Sequence, residues 1–384
     1  MELQPFQQKR LCHLSLQRLT HPKGDIMQMT LRKSVGLLAA AGAIAFLVKA
    51  SAARKREAAD PRLDPQMKAV LDELQRLGVR PFETLTPNQA RGQPTPADAV
   101  QTLLMRQGKN IVPEAVAKVE DRQIDGPAGK LPIRIYTPKG DGPFPVIVYF
   151  HGGGWVIADL DTYDATPRAL ANIANAVVVS AHYRQGPEHR FPAAHSDAFA
   201  AYQWTLAHAG DIRGDAARIA VAGESAGGNL AASVAIMARN QDMPMPVHQL
   251  LIYPVTNYDF DSPSYIENAE AKPLSRDAMR WFFQHYLNWH TDGESRMVSL
   301  VREPRLQGLP PATVITAQID PLRSEGKEYA DNLREAGVPV NYRDYEGVTH
   351  EFFGMGAVLD QAREAQRFAA EGLHQAFSAS PVLH

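Results

Sequence analysis

The chain has 384 residues, of which 45% are hydrophobic and 21% are charged. This composition is that of a globular protein and excludes a disordered or fibrous chain. Forty basic residues against 42 acidic ones give a formal net charge of −2, so binding to nucleic acid would need a local basic patch. The length allows two domains of ordinary size or one large α/β unit.

The charge is distributed unevenly. Residues 1–60 contain ten Lys or Arg and four acids, a net charge of +6, and the rest of the chain carries −8. Residues 35–48 are a run of fourteen residues without a charge, preceded by Arg32 and Lys33. This run is short for a bilayer span, and with the A-x-A-like sequence at residues 50–52 it is typical of a signal peptide.

Two other interpretations of this segment stay open. Lys49 and the basic residues 54–56 argue against cleavage, and residues 34–53 would serve as an uncleaved membrane anchor. A buried Ala-rich helix is the third interpretation. We expect a periplasmic, secreted or membrane-anchored protein, and a cytoplasmic one stays open. A translation start at Met27 or Met29 is a further hypothesis.

Two amphipathic helices are predicted before the first strand. Residues 64–80 place apolar side chains on one helical face, with Gly78 and Pro81 as stop signals. Residues 97–107 follow Pro96 and form the second helix. These helices should pack over another part of the molecule.

From residue 115 the hydrophobic pattern becomes strand-like. Residues 116–123 and 131–136 alternate apolar and polar side chains around a turn at residues 126–129, which predicts a hairpin. Compact apolar runs then alternate with helical segments, which indicates a parallel sheet with helices on both faces. The predicted strands are Pro145–Phe150, Ala176–Ala181, Arg218–Ala222, Gln249–Tyr253, Ala312–Ala317 and Val338–Tyr345, and the predicted helices are Pro167–Ala174, Ala193–His208, Ala226–Arg239, Glu325–Ala336 and Leu359–Phe377.

A long insertion separates the strand that ends near Tyr253 from the strand that begins near Ala312. It contains an aromatic-rich helix, Asp277–Leu287. With the N-terminal helices, this insertion is expected to form a cap over the carboxyl edge of the sheet, where ligands bind in such folds.

The strongest motif is Gly-Glu-Ser-Ala-Gly at residues 223–227, between a predicted strand and a predicted helix. A strand that turns this sharply into a helix strains the Ser225 backbone and tolerates only small neighbours. The hydroxyl is then exposed at the helix N-terminus, where the helix dipole favours developing negative charge. The motif predicts a nucleophilic serine. A tightly packed turn is one alternative, and a phosphate loop is another, although the lysine of a P-loop is missing.

Residues 151–155, His-Gly-Gly-Gly-Trp, directly follow the predicted strand 145–150. Three successive glycines leave backbone N–H groups free to point at a ligand oxygen. Acyl transfer at a serine needs two or three such donors about 3 Å from the oxyanion. A flexible loop or another anion site would also fit, but beside the serine turn the segment predicts an oxyanion hole.

A serine nucleophile needs a base, and the base needs a carboxylate that orients it. In α/β hydrolases the chain order is serine, acid, histidine. His350 lies in the loop after the last predicted strand. The other histidines after Ser225 fall within or beside helices, at a strand start or at the C-terminus. His350 is therefore the candidate base.

Asp320 is the candidate acid, because it follows a predicted strand and precedes a proline that restrains the turn. An ordinary Asx turn is the alternative. Asp344 and Glu346 are rival acids, but both lie close to His350 in sequence. Glu224, beside the serine, is expected to make structural hydrogen bonds, because its backbone position aims it away from the Ser225 side chain.

These motifs resemble the hormone-sensitive-lipase family of α/β-hydrolase esterases, bacterial family IV, from about residue 116 to the C-terminus. The resemblance implies an α/β-hydrolase fold with a mostly parallel eight-stranded sheet, flanking helices and a helical cap. The motif spacing predicts one catalytic domain at residues 115–384, with a cap formed by helices at 60–114 and an insertion at 255–295, and the charge distribution leaves a basic head at residues 1–59 outside it. The implied catalytic triad is Ser225, Asp320 and His350, and the implied oxyanion-hole donors are the N–H groups of Gly153, Gly154 and Ala226.

The chain departs from the family pattern at three positions. Tyr-Arg-Gln-Gly-Pro-Glu-His at residues 183–189 resembles the YRLAPEH segment of the family, with Gln185 and Gly186 as departures. Ser324 stands where the family commonly has Asp, which puts a supporting hydrogen bond near the acid loop in doubt.

The resemblance implies hydrolysis of short-chain acyl esters through an acyl-enzyme. An amidase, a deacetylase or an acyltransferase would use the same triad, and a ligand-binding receptor on this fold would be expected to have lost a triad residue. The candidate pocket residues are aromatic side chains that would also fit ordinary core packing: Trp155, Trp281, Phe282, Phe352 and Phe353.

Neither a metal nor a cofactor is expected. Cys12 is the single cysteine, which excludes an intrachain disulfide and a cysteine metal site. No pair of histidines on a predicted helix has the i, i+4 spacing of a metal site. The expected partner is a small ester and not nucleic acid, and both a monomer and a dimer stay open.

Overall fold

The computed structural model describes residues 60–379. The basic head and its apolar run lie outside these residues. The strands are β1 (Lys118–Gly126), β2 (Gly129–Thr137), β3 (Phe144–Phe150), β4 (Val177–Ala181), β5 (Gly214–Glu224), β6 (Gln249–Ile252), β7 (Ala312–Ile319) and β8 (Val340–Thr349). The helices are α1 (Pro65–Arg76), α2 (Pro87–Arg91), α3 (Pro96–Arg106), α4 (Ala165–Ile173), α5 (Ala193–His208), α6 (Ala226–Asn240), α7 (Pro263–Glu267), α8 (Arg276–Tyr286), α9 (Arg323–Glu335) and α10 (Asp360–Ser378).

The strands form one eight-stranded sheet in the order β1-β2-β4-β3-β5-β6-β7-β8. The β1–β2 hairpin is antiparallel, β2 runs antiparallel to β4, and every later neighbour is parallel. The predicted hairpin and parallel sheet are therefore confirmed. Val146, Val148 and Phe150 of β3 face one core cluster, whereas Ile147 and Tyr149 face the other. Both faces of the central strands are thus buried, which explains their continuous apolar runs.

β8 extends further than the sequence predicts. The apolar pattern ends at Tyr345, but the strand continues to Thr349 and pairs with the end of β7. Exposed polar side chains interrupt the apolar residues of this strand, for example at Arg343 and Glu346. The apolar pattern is therefore broken although the backbone stays extended. The extension places residue 350 directly at the carboxyl end of the sheet.

The N-terminal helices begin at side-chain caps. Asp64 accepts hydrogen bonds from the first turn of α1, and Thr86 and Thr95 form capping boxes at α2 and α3. The buried Glu73 of α1 pairs with Arg106 of α3 at 2.7 Å. These contacts fix the segment as an ordered unit.

This segment meets the insertion helix α8. The Phe82 ring lies 5.8 Å from Trp281 and 4.9 Å from Phe282, measured between centroids. The Trp281 indole N–H donates to the Leu85 carbonyl at 3.0 Å. The division into cap and catalytic parts stays a prediction, and these contacts are those that such a cap would need. Within residues 60–379, no helix combines the length and the apolar character needed to cross a membrane.

Candidate active site

Ser225 occupies the turn between β5 and α6. Its φ of 57° lies in the left-handed region, which non-glycine residues rarely adopt. A Cβ at Gly223 would lie 2.1 Å from the Gly227 carbonyl oxygen, and one at Gly227 would lie 2.0 Å from the Phe150 carbonyl oxygen. Only glycine fits at either position, so the sequence of the motif is what permits the turn.

Asp320 and His350 follow the ends of β7 and β8 and lie against each other. His350 Nδ1 is 2.6 Å from Asp320 Oδ2, and Asp320 Oδ1 accepts the Leu322 N–H at 2.9 Å. Both side chains are buried. Burial alone would lower the pKa of His350, but the charge and hydrogen bond of Asp320, helped by nearby carboxylates, raise it above its usual value.

Ser225 and His350 line one cleft of about 280 Å³. The structure thus brings the three predicted triad residues together. Ser225 and His350 line the cleft, and Asp320 contacts His350 from the side away from it. Within the described residues, no hydrogen bond joins the Ser225 hydroxyl to His350. In enzymes without bound substrate this bond is often long and tightens only in the complex.

The other carboxylates near the site are engaged elsewhere. Asp344 accepts a hydrogen bond from Thr316 at 2.7 Å, and Glu346 is exposed. Glu224 is buried behind the serine and accepts hydrogen bonds from the hydroxyls of Tyr149, at 2.6 Å, and Tyr253. Burial raises the pKa of Glu224 to about 7. These contacts are structural, as the backbone position of Glu224 predicts.

The glycine loop after β3 presents backbone donors to the cleft. Gly153 and Gly154 have φ values of 96° and 58° and both line the cleft. A Cβ at Gly154 would lie 2.3 Å from the Phe282 ring, so the loop and α8 are in close contact. Within the described residues, the N–H groups of Gly153, Gly154 and Ala226 donate to no acceptor. Three donors are thus free for a ligand oxygen.

His151 and Tyr183 support this loop, a role that the sequence motifs do not reveal. The Tyr183 hydroxyl donates to the His151 carbonyl at 2.8 Å, and the two rings stack with centroids 4.4 Å apart. His151 Nδ1 lies 2.8 Å from the Gly152 carbonyl oxygen. Burial lowers the pKa of His151 to about 3, so this histidine is neutral and holds the loop in place.

Comparison with known proteins identifies relatives that are esterases of the α/β-hydrolase fold. The family described as alpha/beta hydrolase fold matches residues 147–354. Carboxylesterase NlhH of Mycobacterium tuberculosis is 40% identical over 296 residues, which cover 74% of this chain and 92% of that protein. The chain belongs to the α/β-hydrolase family of carboxylesterases.

This carboxylesterase is similar to further esterases. Ethyl acetate hydrolase of Pseudomonas putida is 33% identical over 301 residues, which cover 77% of the chain and 92% of that protein. The structure of a Pyrobaculum calidifontis esterase matches with a TM-score of 0.73 at 37% identity, over 83% of the chain and 100% of that structure. The predicted family, fold and ester-hydrolase activity are thereby confirmed.

The departures of this carboxylesterase from the family segment have local contacts that explain them. The Gln185 amide donates to the Ile157 carbonyl at 2.7 Å and to the Ala158 carbonyl at 2.9 Å. A Cβ at Gly186 would lie 2.6 Å from the His285 carbonyl oxygen, so glycine lets this loop pack on α8.

Ser324 retains a supporting role near the acid loop. Its hydroxyl accepts the Ser264 N–H at 3.1 Å, while the Ser264 hydroxyl donates to the Pro321 carbonyl at 2.5 Å. Two serines therefore join the loop of Asp320 to α7.

Most of the predicted pocket aromatics lie in the core of the carboxylesterase instead. Phe282 lines the cleft. Trp155 is buried and stacks on Tyr286 at 4.6 Å, Trp281 bonds to the Leu85 carbonyl, and Phe352 and Phe353 are fully buried. Aromatic residues next to the motifs fill the space behind the loops, which is why nearness in sequence was a poor guide to the cleft.

The cleft walls come largely from residues that the sequence motifs did not indicate. The apolar lining includes Phe82, Leu274, Met279 and Phe282, and the polar lining includes Gln93, Asp159, His182, Gln185 and Glu351. Within residues 60–379, no group of three or more His, Cys, Asp or Glu is placed to hold a metal ion.

Proposed function

We propose that this carboxylesterase hydrolyses short-chain esters with Ser225 as nucleophile, His350 as base and Asp320 as the acid that orients it. The observation that carries the proposal is the 2.6 Å contact between His350 Nδ1 and Asp320 Oδ2, with His350 facing the cleft that Ser225 lines. A proton held on Nδ1 by the carboxylate leaves Nε2 free to accept the serine proton.

The reaction then takes two steps. The Ser225 oxygen attacks the ester carbonyl while His350 takes its proton, and the developing oxyanion is met by the N–H groups of Gly153, Gly154 and Ala226. His350 returns the proton to the leaving alcohol, and an acyl-enzyme forms. Water, deprotonated by His350, then attacks the acyl carbon. The bond from that carbon to the Ser225 oxygen breaks, the oxygen takes the proton back from His350, and the acid is released.

The cleft supports a short acyl group. Its volume of about 280 Å³ lies just below the usual range of ligand pockets, and Phe282 lines it in close contact with Gly154 of the glycine loop. The relative from Pseudomonas putida is named an ethyl acetate hydrolase, and ethyl acetate has a two-carbon acyl group. We expect the rate to be highest for acetate or butyrate esters.

The nucleophile is tested by Ser225→Ala, which should lower kcat for p-nitrophenyl butyrate by roughly 10⁴-fold or more. Ser233→Ala is the matched control, because Ser233 lies on α6, the helix that follows Ser225, and donates to the Met297 carbonyl outside the cleft. Activity retained in Ser225→Ala would exclude the assignment. A rate maximum at long chains in a series from acetate to palmitate would contradict the short acyl site.

We propose that the apolar run within residues 32–53 directs the chain to export or anchors it in a membrane, on the strength of the sequence pattern. N-terminal sequencing of the native protein, with fractionation into soluble and membrane pools, tests this. Cleavage after residue 52 would indicate a signal peptide, and an intact soluble cytoplasmic chain would contradict both forms of the proposal.

A further inference from the structure

Glu351 turns its carboxylate into the cleft directly after His350. Its φ of 72° lies in the left-handed region, so the two successive residues both face the cleft. The side chain is 21% exposed, and Glu351 Oε1 lies 3.9 Å from His350 Nε2. The mechanism above gives this carboxylate no role.

Much of the hydrogen-bonding capacity of this carboxylate is unused. The Tyr163 hydroxyl donates to it, 2.6 Å from Oε1 and 2.7 Å from Oε2. A carboxylate has about four acceptor positions, so one hydroxyl leaves most of them free. Within the described residues, no Lys or Arg lies within ion-pair distance of Glu351. A negative charge without a cationic partner therefore faces the cleft.

The other charged side chains of the cleft do not cancel this charge. The Arg91 guanidinium is bound by both oxygens of Glu188, at 2.8 and 2.6 Å. Asp159 adds a second carboxylate, which accepts from the Thr162 N–H and hydroxyl. The charged lining of the cleft is thus anionic on balance.

The direction of proton transfer in the reaction indicates which part of an ester lies near Glu351. Under the proposed function, on which this step rests, His350 Nε2 gives its proton to the leaving oxygen of the alcohol. A group 3.9 Å from that nitrogen is therefore within reach of the alcohol part of the ester as it leaves.

We propose that Glu351 is a specificity-determining residue that favours esters whose alcohol part carries a positive charge and disfavours esters whose alcohol part is anionic. The substrate class is the esters of quaternary or protonated amino alcohols. The charged nitrogen of such an ester lies beyond the leaving oxygen, and an opposite charge about 10 Å away at an effective dielectric constant of about 20 is worth roughly ten-fold in kcat/KM.

The wild-type enzyme tests this with three esters that share one acyl group. Butyrylcholine is cationic, 3,3-dimethylbutyl butyrate is its neutral isostere, and 3-sulfopropyl butyrate is anionic. We expect kcat/KM to fall in that order, by roughly ten-fold from the cationic to the neutral ester. Burial raises the pKa of Glu351, so the assay is run near pH 8 to favour the charged carboxylate. Hydrolysis of the neutral ester without this order would overturn the inference and leave the proposed function standing, whereas no hydrolysis of any ester would remove both.

Three variants locate the effect. Glu351→Gln should bring the ratio of kcat/KM for the cationic and neutral esters close to one, whatever it does to the rate on the neutral ester. Glu351→Asp keeps the charge and should keep the order. Glu346→Gln removes the same charge from an exposed position on β8, outside the cleft, and should leave the ratio at its wild-type value. A full ratio in Glu351→Gln, or an equal loss in Glu346→Gln, contradicts the assignment.

Discussion

His350 is oriented by a hydrogen bond between its Nδ1 and Asp320 Oδ2, and both groups are buried. In the proposed mechanism, the carboxylate fixes the tautomer that leaves Nε2 able to accept a proton, and it stabilises the imidazolium that forms during the reaction. A change at residue 320 should therefore alter both the rate and its dependence on pH.

We expect Asp320→Asn to lower kcat by roughly 10⁴-fold, because an amide holds the wrong tautomer. Hydrolysis needs the neutral imidazole, so activity is lost as the pH falls through the pKa of His350. The negative charge of Asp320 raises that pKa, against the lowering effect of burial. Without this charge, the acid limb of kcat/KM should move to lower pH, which a pH profile of the residual activity measures.

Asp344→Asn is the control, because Asp344 bonds to Thr316 and not to His350. Its acid limb should stay where the wild-type limb lies. An unmoved limb in Asp320→Asn would mean that another group sets the pKa of His350.

Individual site residues could be predicted from the sequence where their backbone geometry requires particular neighbours in the chain. Ser225 was predictable because its turn needs glycine on both sides. Glu351 was not, because its direction depends on a left-handed residue after a strand whose end the apolar pattern did not show. Phe82 lines the cleft from a segment far away in sequence, and such contacts leave no local signal.

At the scale of elements, α8 functions as packing for the loops behind the site. The Phe191 N–H donates to the Tyr286 carbonyl at 2.9 Å, and Trp155 stacks on the Tyr286 ring. The aromatic composition of this helix predicted a cap helix, but a composition does not say which rings face inward. Of the two aromatic residues of α8 that were predicted to line the pocket, Trp281 and Phe282, only Phe282 lines the cleft.

The contact between α8 and the loop at residue 186 can be tested by Gly186→Ala. The added Cβ would lie 2.6 Å from the His285 carbonyl oxygen, so the loop or the helix has to move. We expect a loss of about 1–3 kcal/mol in the free energy of unfolding, measured by urea denaturation. Gly210→Ala is the control, because no atom lies within 4 Å of its added Cβ. Equal midpoints for the two variants would show that the loop absorbs the methyl group.

At the scale of the whole molecule, Arg91 joins the N-terminal segment to the loops around the cleft. Its guanidinium donates to the carbonyls of Val156, at 2.9 Å, and Gly186, at 2.7 Å, and pairs with Glu188. The same N-terminal segment contributes Phe82 and Gln93 to the lining of the cleft. The sequence predicted the helices of this segment but not the contact that holds it in place.

We expect Arg91→Ala to raise KM for p-nitrophenyl butyrate by roughly ten-fold, with a smaller effect on kcat, because the walls loosen while the triad stays in place. Arg80→Ala removes an exposed arginine from the same segment and should leave KM near the wild-type value. A fall in kcat alone after Arg91→Ala would show that the arginine supports the glycine loop rather than the walls.

The close contact between Phe282 and Gly154 has a consequence for protein engineering. The Phe282 ring, which by our proposal limits the acyl group, also lies 2.3 Å from the place that a Cβ at residue 154 would take. Trimming Phe282 to admit bulkier acids would widen the cavity and at the same time remove the support of an oxyanion donor. Substrate range and transition-state stabilisation are therefore linked at this position. Leu274 and Met279 also line the cleft and are the better positions for substitutions that would admit larger acyl groups.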